Sequence, residues 1–155
     1  MRVRVIAVGT RPPAWVRTAT DEYLQRLSPL PVSLTEITPG TRSAGGTSHQ
    51  AIAAEGKRLL GALKANDHVT VLDERGSELS TRELAAWFGK RMQDGRDLAF
   101  LIGGPDGFAP EVLARSDFRL SLSRLTLPHA LVRVLLAEQL YRAHSILGNH
   151  PYHRD

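Results

Sequence analysis

The chain has 155 residues and is 42% hydrophobic and 23% charged, a size and composition that fit one soluble globular domain and exclude wholesale disorder, collagen-like repeats and a long coiled coil. It contains no cysteine, which excludes disulfides, thiolate catalysis and Cys-ligated zinc or iron–sulfur centres. The net charge of +4 comes from 20 basic and 16 acidic side chains, and 17 of the basic ones are Arg. Two readings stay open: a nucleic-acid partner, since Arg pairs with phosphate and stacks on bases, or a plain bias toward Arg codons. No apolar run approaches the ~18 residues of a membrane span, and MRVRVIAVGT turns polar too soon for a signal peptide. No membrane partner is therefore expected, and the cytoplasm is the expected location.

Arg2–Val8 is short, β-branched and stops at Gly9, which predicts a strand. Pro12 and Pro13 suit a first helical turn. Trp15, Ala19, Tyr23 and Leu27, four residues apart, predict a helix with those side chains as its apolar stripe. Pro31–Ile37 reads as a second strand, and Thr38–Ser48, rich in Gly, Ser and Thr, as the one flexible connection. A helix over His49–Lys64 turns Ile52, Leu59, Leu60 and Leu63 inward. His68–Asp73 is a third strand. Ser80 and Glu83 form a capping-box pattern for a helix that runs to about Gln93 and stops at Gly95. Asp97–Ile102 is a continuous apolar run, the pattern of a strand buried on both faces. A short helix begins near Pro110, Phe118–Ser123 is a fifth strand, and a last helix covers Ala130–Leu147. Strands alternating with helices predict a single α/β domain over 1–155, its mostly parallel sheet covered on both faces.

The last helix is apolar around most of its circumference, through Leu131, Val132, Val134, Leu135, Leu136, Ala137, Leu140 and Tyr141. Such a helix must be buried nearly all round. The cover is either the rest of this chain or a second copy of it.

In open α/β sheets, ligands bind beyond the carboxyl ends of the strands. Three such ends are rich in candidate residues: Leu72–Gly76, Leu101–Gly107 and Ser121–His129. Gly103 and Gly104 lack a Cβ, so a ligand could lie directly on the backbone there, although a glycine pair after a strand also serves as a plain tight turn. No dinucleotide G-x-G-x-x-G, P-loop or nucleophile-elbow pattern is present. The tail is the other unusual segment, with His150, Tyr152, His153 and Arg154 within five residues. His144, His150 and His153 have no acidic cluster beside them, so no metal is expected.

The segments VIAVGT, TVLDERG, DGRDLAFLIGGPDGF, LSLSRLTLPHALVRVLLAEQLYRAHSI and NHPYHR together resemble, end to end, a known family. It is the SPOUT-class large-subunit ribosomal RNA methyltransferases, the bacterial RlmH group, which modify N3 of pseudouridine 1915 in 23S ribosomal RNA. IGGPDG, LTLPH and NHPYHR are specific in combination and weak singly. The loop Arg42–Ser48 differs locally and is expected to touch no motif.

The resemblance implies a parallel-sheet α/β fold whose C-terminal segment forms a trefoil knot, which ordinary topology rules would argue against. It implies S-adenosylmethionine as cofactor, held by Leu72, Gly103, Leu122, Ser123, Arg124, Leu125, Thr126 and Leu127, to which the missing Cβ adds Gly104. It also implies a homodimer acting on 23S ribosomal RNA within the assembled ribosome. The tail is then expected beside the methyl donor, completing the partner's site in the dimer. Within it, Arg154 is the candidate for charge developing on the carbonyls that flank N3. His153 is the candidate base, since imidazole exchanges protons near neutrality. Tyr152 is the candidate to stack on or bond the extruded base. His129 is expected to be structural. The competing functions are an RNA-binding assembly factor without catalysis, and a flavodoxin-like regulator that binds a phosphorylated ligand.

Overall fold

The computed structural model describes residues 1–42 and 48–153. Five parallel strands stand in the order β2-β1-β4-β3-β5: β1 Val3–Val8, β2 Val32–Ile37, β3 His68–Glu78, β4 Leu98–Ile102 and β5 Phe118–Ser121. The helices between and after them are α1 Ala14–Gln25, α2 His49–Gly61, α3 Thr81–Asp94, α4 Pro110–Arg115 and α5 His129–Leu147. The alternation read from the sequence is thus the α/β architecture observed.

Successive strand residues face opposite sides of the sheet, and two cores result. Val5, Ala7, Phe100 and Ile102 pack on one side with Leu84 and Phe88 of α3 and Leu136 and Leu140 of α5. Ile6, Val8, Val71 and Leu101 pack on the other with Leu59 of α2 and Val112 of α4. β4 lies between β1 and β3 and is buried throughout, as its unbroken apolar run predicts.

Local signals behave as chemistry dictates. The Ser80 hydroxyl accepts from the Glu83 N–H at 3.1 Å, and the Ser80 N–H donates to the Glu83 carboxylate at 2.7 Å. Gly95 closes α3 in the left-handed conformation.

Three expectations are corrected. In α1 the buried residues are Val16 and Thr20, whereas Trp15 is 60% exposed and Leu27 is buried beyond the end of the helix. A four-residue step overshoots a helical turn by about 40°, so a strict spacing of four drifts off any one face. β3 does not stop at Asp73. It continues to Glu78, and Leu72 and Ser77 both pair with Leu120, so the residues between them stand out of the ladder. β5 stops at Ser121, because the Ser121 hydroxyl donates to the Ser123 carbonyl at 2.9 Å and turns the chain away.

α5 packs against α1 and α3. Its buried positions include Arg133 and Ser145, while Leu131, Val132, Val134 and Leu135 are only half-buried. Within one chain this apolar helix is therefore fully buried on one side and half-buried on the other. Arg133, 3% exposed, donates to the Glu36 carboxylate and to the Gly9 carbonyl, both at 2.7 Å. It ties the start of α5 to the carboxyl ends of β1 and β2. Gly9 has φ +125°, and a Cβ there would come within 3.0 Å of the guanidinium, so the backbone conformation and the close approach both require glycine.

Candidate active site

The carboxyl ends of β3, β4 and β5 enclose a cleft of about 570 Å³, within the usual range for a small-molecule site. Leu72, Ile102, Leu120, Leu122, Leu125, Leu127 and Val132 supply its apolar lining. The chain segments that build it are the residues bulged out of β3, the loop Gly103–Phe108 after β4, and the loop from Leu122 into α5. That last loop is shaped by its own polar groups. The Ser123 hydroxyl accepts from the Leu125 N–H at 2.9 Å, and the Thr126 hydroxyl donates to Glu74 at 3.3 Å across the cleft mouth.

Leu72, Gly103, Gly104, Leu122, Ser123, Leu125, Thr126 and Leu127 all line the cleft. Arg124 does not. Its side chain is 87% exposed and reaches Glu78 at 3.5 Å. His129 lines the rim at the start of α5.

Both glycines stand close to other protein atoms. A Cβ on Gly103 would meet the Phe108 ring at 3.2 Å, and one on Gly104 would meet Glu55 Oε1 at 3.1 Å. Phe108 is itself part of the cleft lining, whereas Glu55 stands outside it. The Arg42 end of the Arg42–Ser48 loop does not stand apart from every motif. Arg42 Nε donates to Asp106 of the glycine loop at 2.8 Å. Residues 43–47 lie outside the described part of the chain.

The ionisable lining is Asp73, Glu74 and Asp106 against Arg75 and His129. Carboxylates around an apolar cleft favour a cationic ligand over a polyphosphate.

The tail goes elsewhere. None of His150, Tyr152 and His153 is among the residues lining the cleft of its own chain. Tyr152 instead packs on α5. Its ring lies 4.5 Å from that of Tyr141, the Arg142 guanidinium covers it at 4.9 Å, and its hydroxyl donates to Glu138 at 3.1 Å. Burial, together with the Glu138 carboxylate and Tyr23, pushes the Tyr152 phenol up to about 12. It stays protonated at neutral pH and acts as a donor. His153 is half-buried and its Nδ1 has no hydrogen-bond partner among the described residues. Arg154 falls outside the described residues. Among the described residues no three His, Asp or Glu side chains are gathered closely enough to hold a metal ion, and no helix is long and apolar enough to cross a membrane.

Sequence reasoning missed Arg42, Glu55, Arg133 and Glu138. Only the Glu138–Arg142 pair, at 2.5 Å, carried a local signal: opposite charges four apart on one helix.

A family model described as "Predicted SPOUT methyltransferase" matches residues 1–153. A protein of Paraburkholderia xenovorans named "Ribosomal RNA large subunit methyltransferase H" is 51% identical over 155 residues, covering 99% of each chain. A Burkholderia thailandensis protein of the same name is 49% identical with the same coverage. Among solved structures, a probable methyltransferase from Bordetella pertussis Tohama I has a TM-score of 0.56 at 16% identity, covering 92% of this chain and 96% of that one. A probable methylase family protein from Haemophilus influenzae has a TM-score of 0.55 at 14% identity, covering 99% of this chain and 70% of that one. At such identities the two structures speak for the fold alone. The family match along nearly the whole sequence, together with relatives half identical from end to end, leads to one conclusion: this chain belongs to the SPOUT methyltransferase family.

Proposed function

We propose that this methyltransferase carries a methyl group from S-adenosylmethionine to N3 of a pseudouridine in 23S ribosomal RNA, as a cytoplasmic homodimer acting on the assembled ribosome. The observation that carries this reading is the cleft at the strand ends, where an apolar lining meets Asp73, Glu74 and Asp106. The apolar residues suit an adenosine, and the carboxylates suit a sulfonium and an ammonium. The relatives' shared name supports a large-subunit RNA substrate. A trefoil knot over the segment from β5 into α5 belongs to the reading, as does a single methyltransferase domain.

When bound, the donor supplies a methyl on a sulfonium, already a good leaving group. The chain's own task is to bring the pseudouridine N3 into line and to help it lose a proton. In this reading His153 takes the proton, Arg154 faces the two carbonyls that gain negative charge, and Tyr152 holds the base through its ring or its hydroxyl. Tyr152 and His153 do not line the cleft of their own chain, so in this reading the tail of one protomer serves the other. Two observations favour that arrangement: Tyr152 is docked on α5 and does not line its own cleft, and Leu131, Val134 and Leu135 of α5 are only half-buried within one chain.

The experiment is incubation with labelled methyl donor and ribosomes from a strain lacking this protein. A 155-residue chain of charge +4 has little surface with which to read a long RNA sequence. Whole ribosomes should therefore be labelled well above naked ribosomal RNA, and ribosomes carrying plain uridine at the target should react poorly. Equal labelling of particle and free RNA refutes the ribosome as substrate. A chain that binds the donor but labels neither is a binding factor without catalysis.

Sedimentation should show a species of twice 17.0 kDa, with a buried interface above ~1,000 Å². Leu135→Asp should lower both dimer content and donor affinity, because it buries an unpaired charge. A persistent 17.0 kDa species removes the shared site.

Gly103→Val tests the donor cleft. Gly103 is outside the left-handed region, so the cost is contact with Phe108 and the Gly107 carbonyl at 3.2–3.4 Å. Overpacking of that kind should displace the loop and weaken S-adenosylmethionine binding at least about tenfold in calorimetry, with the sheet still folded by circular dichroism. Parental affinity in this variant misplaces the cleft.

A further inference from the structure

Behind the glycine loop lies an ion-pair network with no place in the chemistry described so far. Glu55, on α2, has a side chain only 3% exposed. Its Oε2 accepts from Arg42 Nη1 at 2.8 Å and from the Gly40 N–H at 2.9 Å. Arg42 Nε donates to Asp106 at 2.8 Å. One guanidinium thus joins a nearly buried carboxylate on a rigid helix to a carboxylate on the rim of the cleft. The network touches the loop twice. It holds Asp106 directly, and it fills the space behind Gly104, where a Cβ would stand 3.1 Å from Glu55 Oε1 and 3.6 Å from Arg42 Nη2. α2 also grips the far end of the same loop, since Gly56 lies so close to Ala109 that a Cβ would stand 2.8 Å from its methyl.

We infer that Arg42, by joining Glu55 to Asp106, fixes the Gly103–Gly107 loop in the conformation that accepts the methyl donor. Arg42 is a positioning residue. It is not among the residues that line the cleft, and it acts through Asp106 and Gly104. The inference rests on the proposed donor cleft. Without Arg42, Asp106 loses its guanidinium partner at the cleft rim, and among the described residues Glu55 keeps the Gly40 N–H. The loop then loses its support from behind, and the donor must order it on binding. Lysine is a poor substitute, since a single ammonium cannot span two carboxylates through separate nitrogens of a rigid fork.

The test is calorimetric titration of the full chain with S-adenosylmethionine, for the parent, Arg42→Ala, Arg42→Lys, Asp106→Ala and the Arg42→Ala/Asp106→Ala double variant, with thermal unfolding measured on each without donor. Arg42→Ala should bind about tenfold more weakly than the parent, and Arg42→Lys should fall between them. In the Asp106→Ala background, replacing Arg42 should cost clearly less than in the parent, because only its support behind Gly104 remains to be lost. A role confined to folding would give the same loss in both backgrounds and follow the unfolding temperature, and that result overturns the inference. So does an Arg42→Ala chain that binds as the parent does. A parent that does not bind S-adenosylmethionine removes the donor reading itself, and this inference with it.

Discussion

Arg154→Ala is expected to bind S-adenosylmethionine nearly as tightly as the parent and to transfer methyl at least ~10²-fold more slowly. None of the described tail residues lines the cleft, whose wall is built from the ends of β3, β4 and β5 and the start of α5. Loss of a tail side chain should therefore spare the donor site. What it should remove is a fixed positive charge facing carbonyl oxygens that become anionic as N3 loses its proton. Such a group stabilises the transition state more than the ground state, so its loss appears in the rate. Lysine at 154 should recover part of the rate, since it keeps the charge and loses the planar fork. The measurement is donor affinity and single-turnover methylation on one preparation. If Arg154→Ala methylates at the parental rate, the tail is a plain terminus and the chemistry lies elsewhere.

Arg133→Ala should cost about 3 kcal/mol of stability, the low end for a broken buried ion pair. Its side chain is 3% exposed and satisfies both Glu36 and the Gly9 carbonyl. Glu36 keeps 27% exposure and a second cation, Arg17, at 3.7 Å, which limits the penalty. Arg133→Met separates charge from packing, since it keeps an apolar stem in place of the arginine's. If the ion pair holds α5 to the strand ends, Met should be nearly as damaging as Ala. If packing holds it, Met should restore most of the loss. Urea unfolding at fixed protein concentration is the measurement, because a dimer's apparent stability depends on concentration. A loss below about 1 kcal/mol in both variants would place the attachment of α5 in its apolar contacts with α1 and α3.

Much of the cleft is legible in the order of residues, for a topological reason. In a parallel sheet with helical crossovers every strand ends on the same edge, so Leu72, Gly103 and Leu122–Leu127 come together once the strands are recognised. Arg124 breaks the pattern because neighbours in an irregular loop need not point the same way. It faces Glu78 and solvent.

What the sequence by itself determined is what depends on near neighbours along the chain. The apolar run of β4, the capping box at Ser80 and Glu83 and the left-handed stop at Gly95 each follow from residues within a few positions of one another. The tertiary structure alone decided the rest. Arg42 meets Asp106 across 64 positions and Arg133 meets Glu36 across 97; no periodicity links such pairs, and an Arg in an apolar helix gives no sign of what it will face. Gly103 and Gly104 suggested a bare backbone for a ligand; that Phe108 and Glu55 stand close against them is visible only in the folded chain. Tyr152 lies on α5 because Glu138, Tyr141 and Arg142 form a seat for its ring and hydroxyl. That seat exists only after the helix has folded and the tail has turned back on it, so no local pattern of residues announces it.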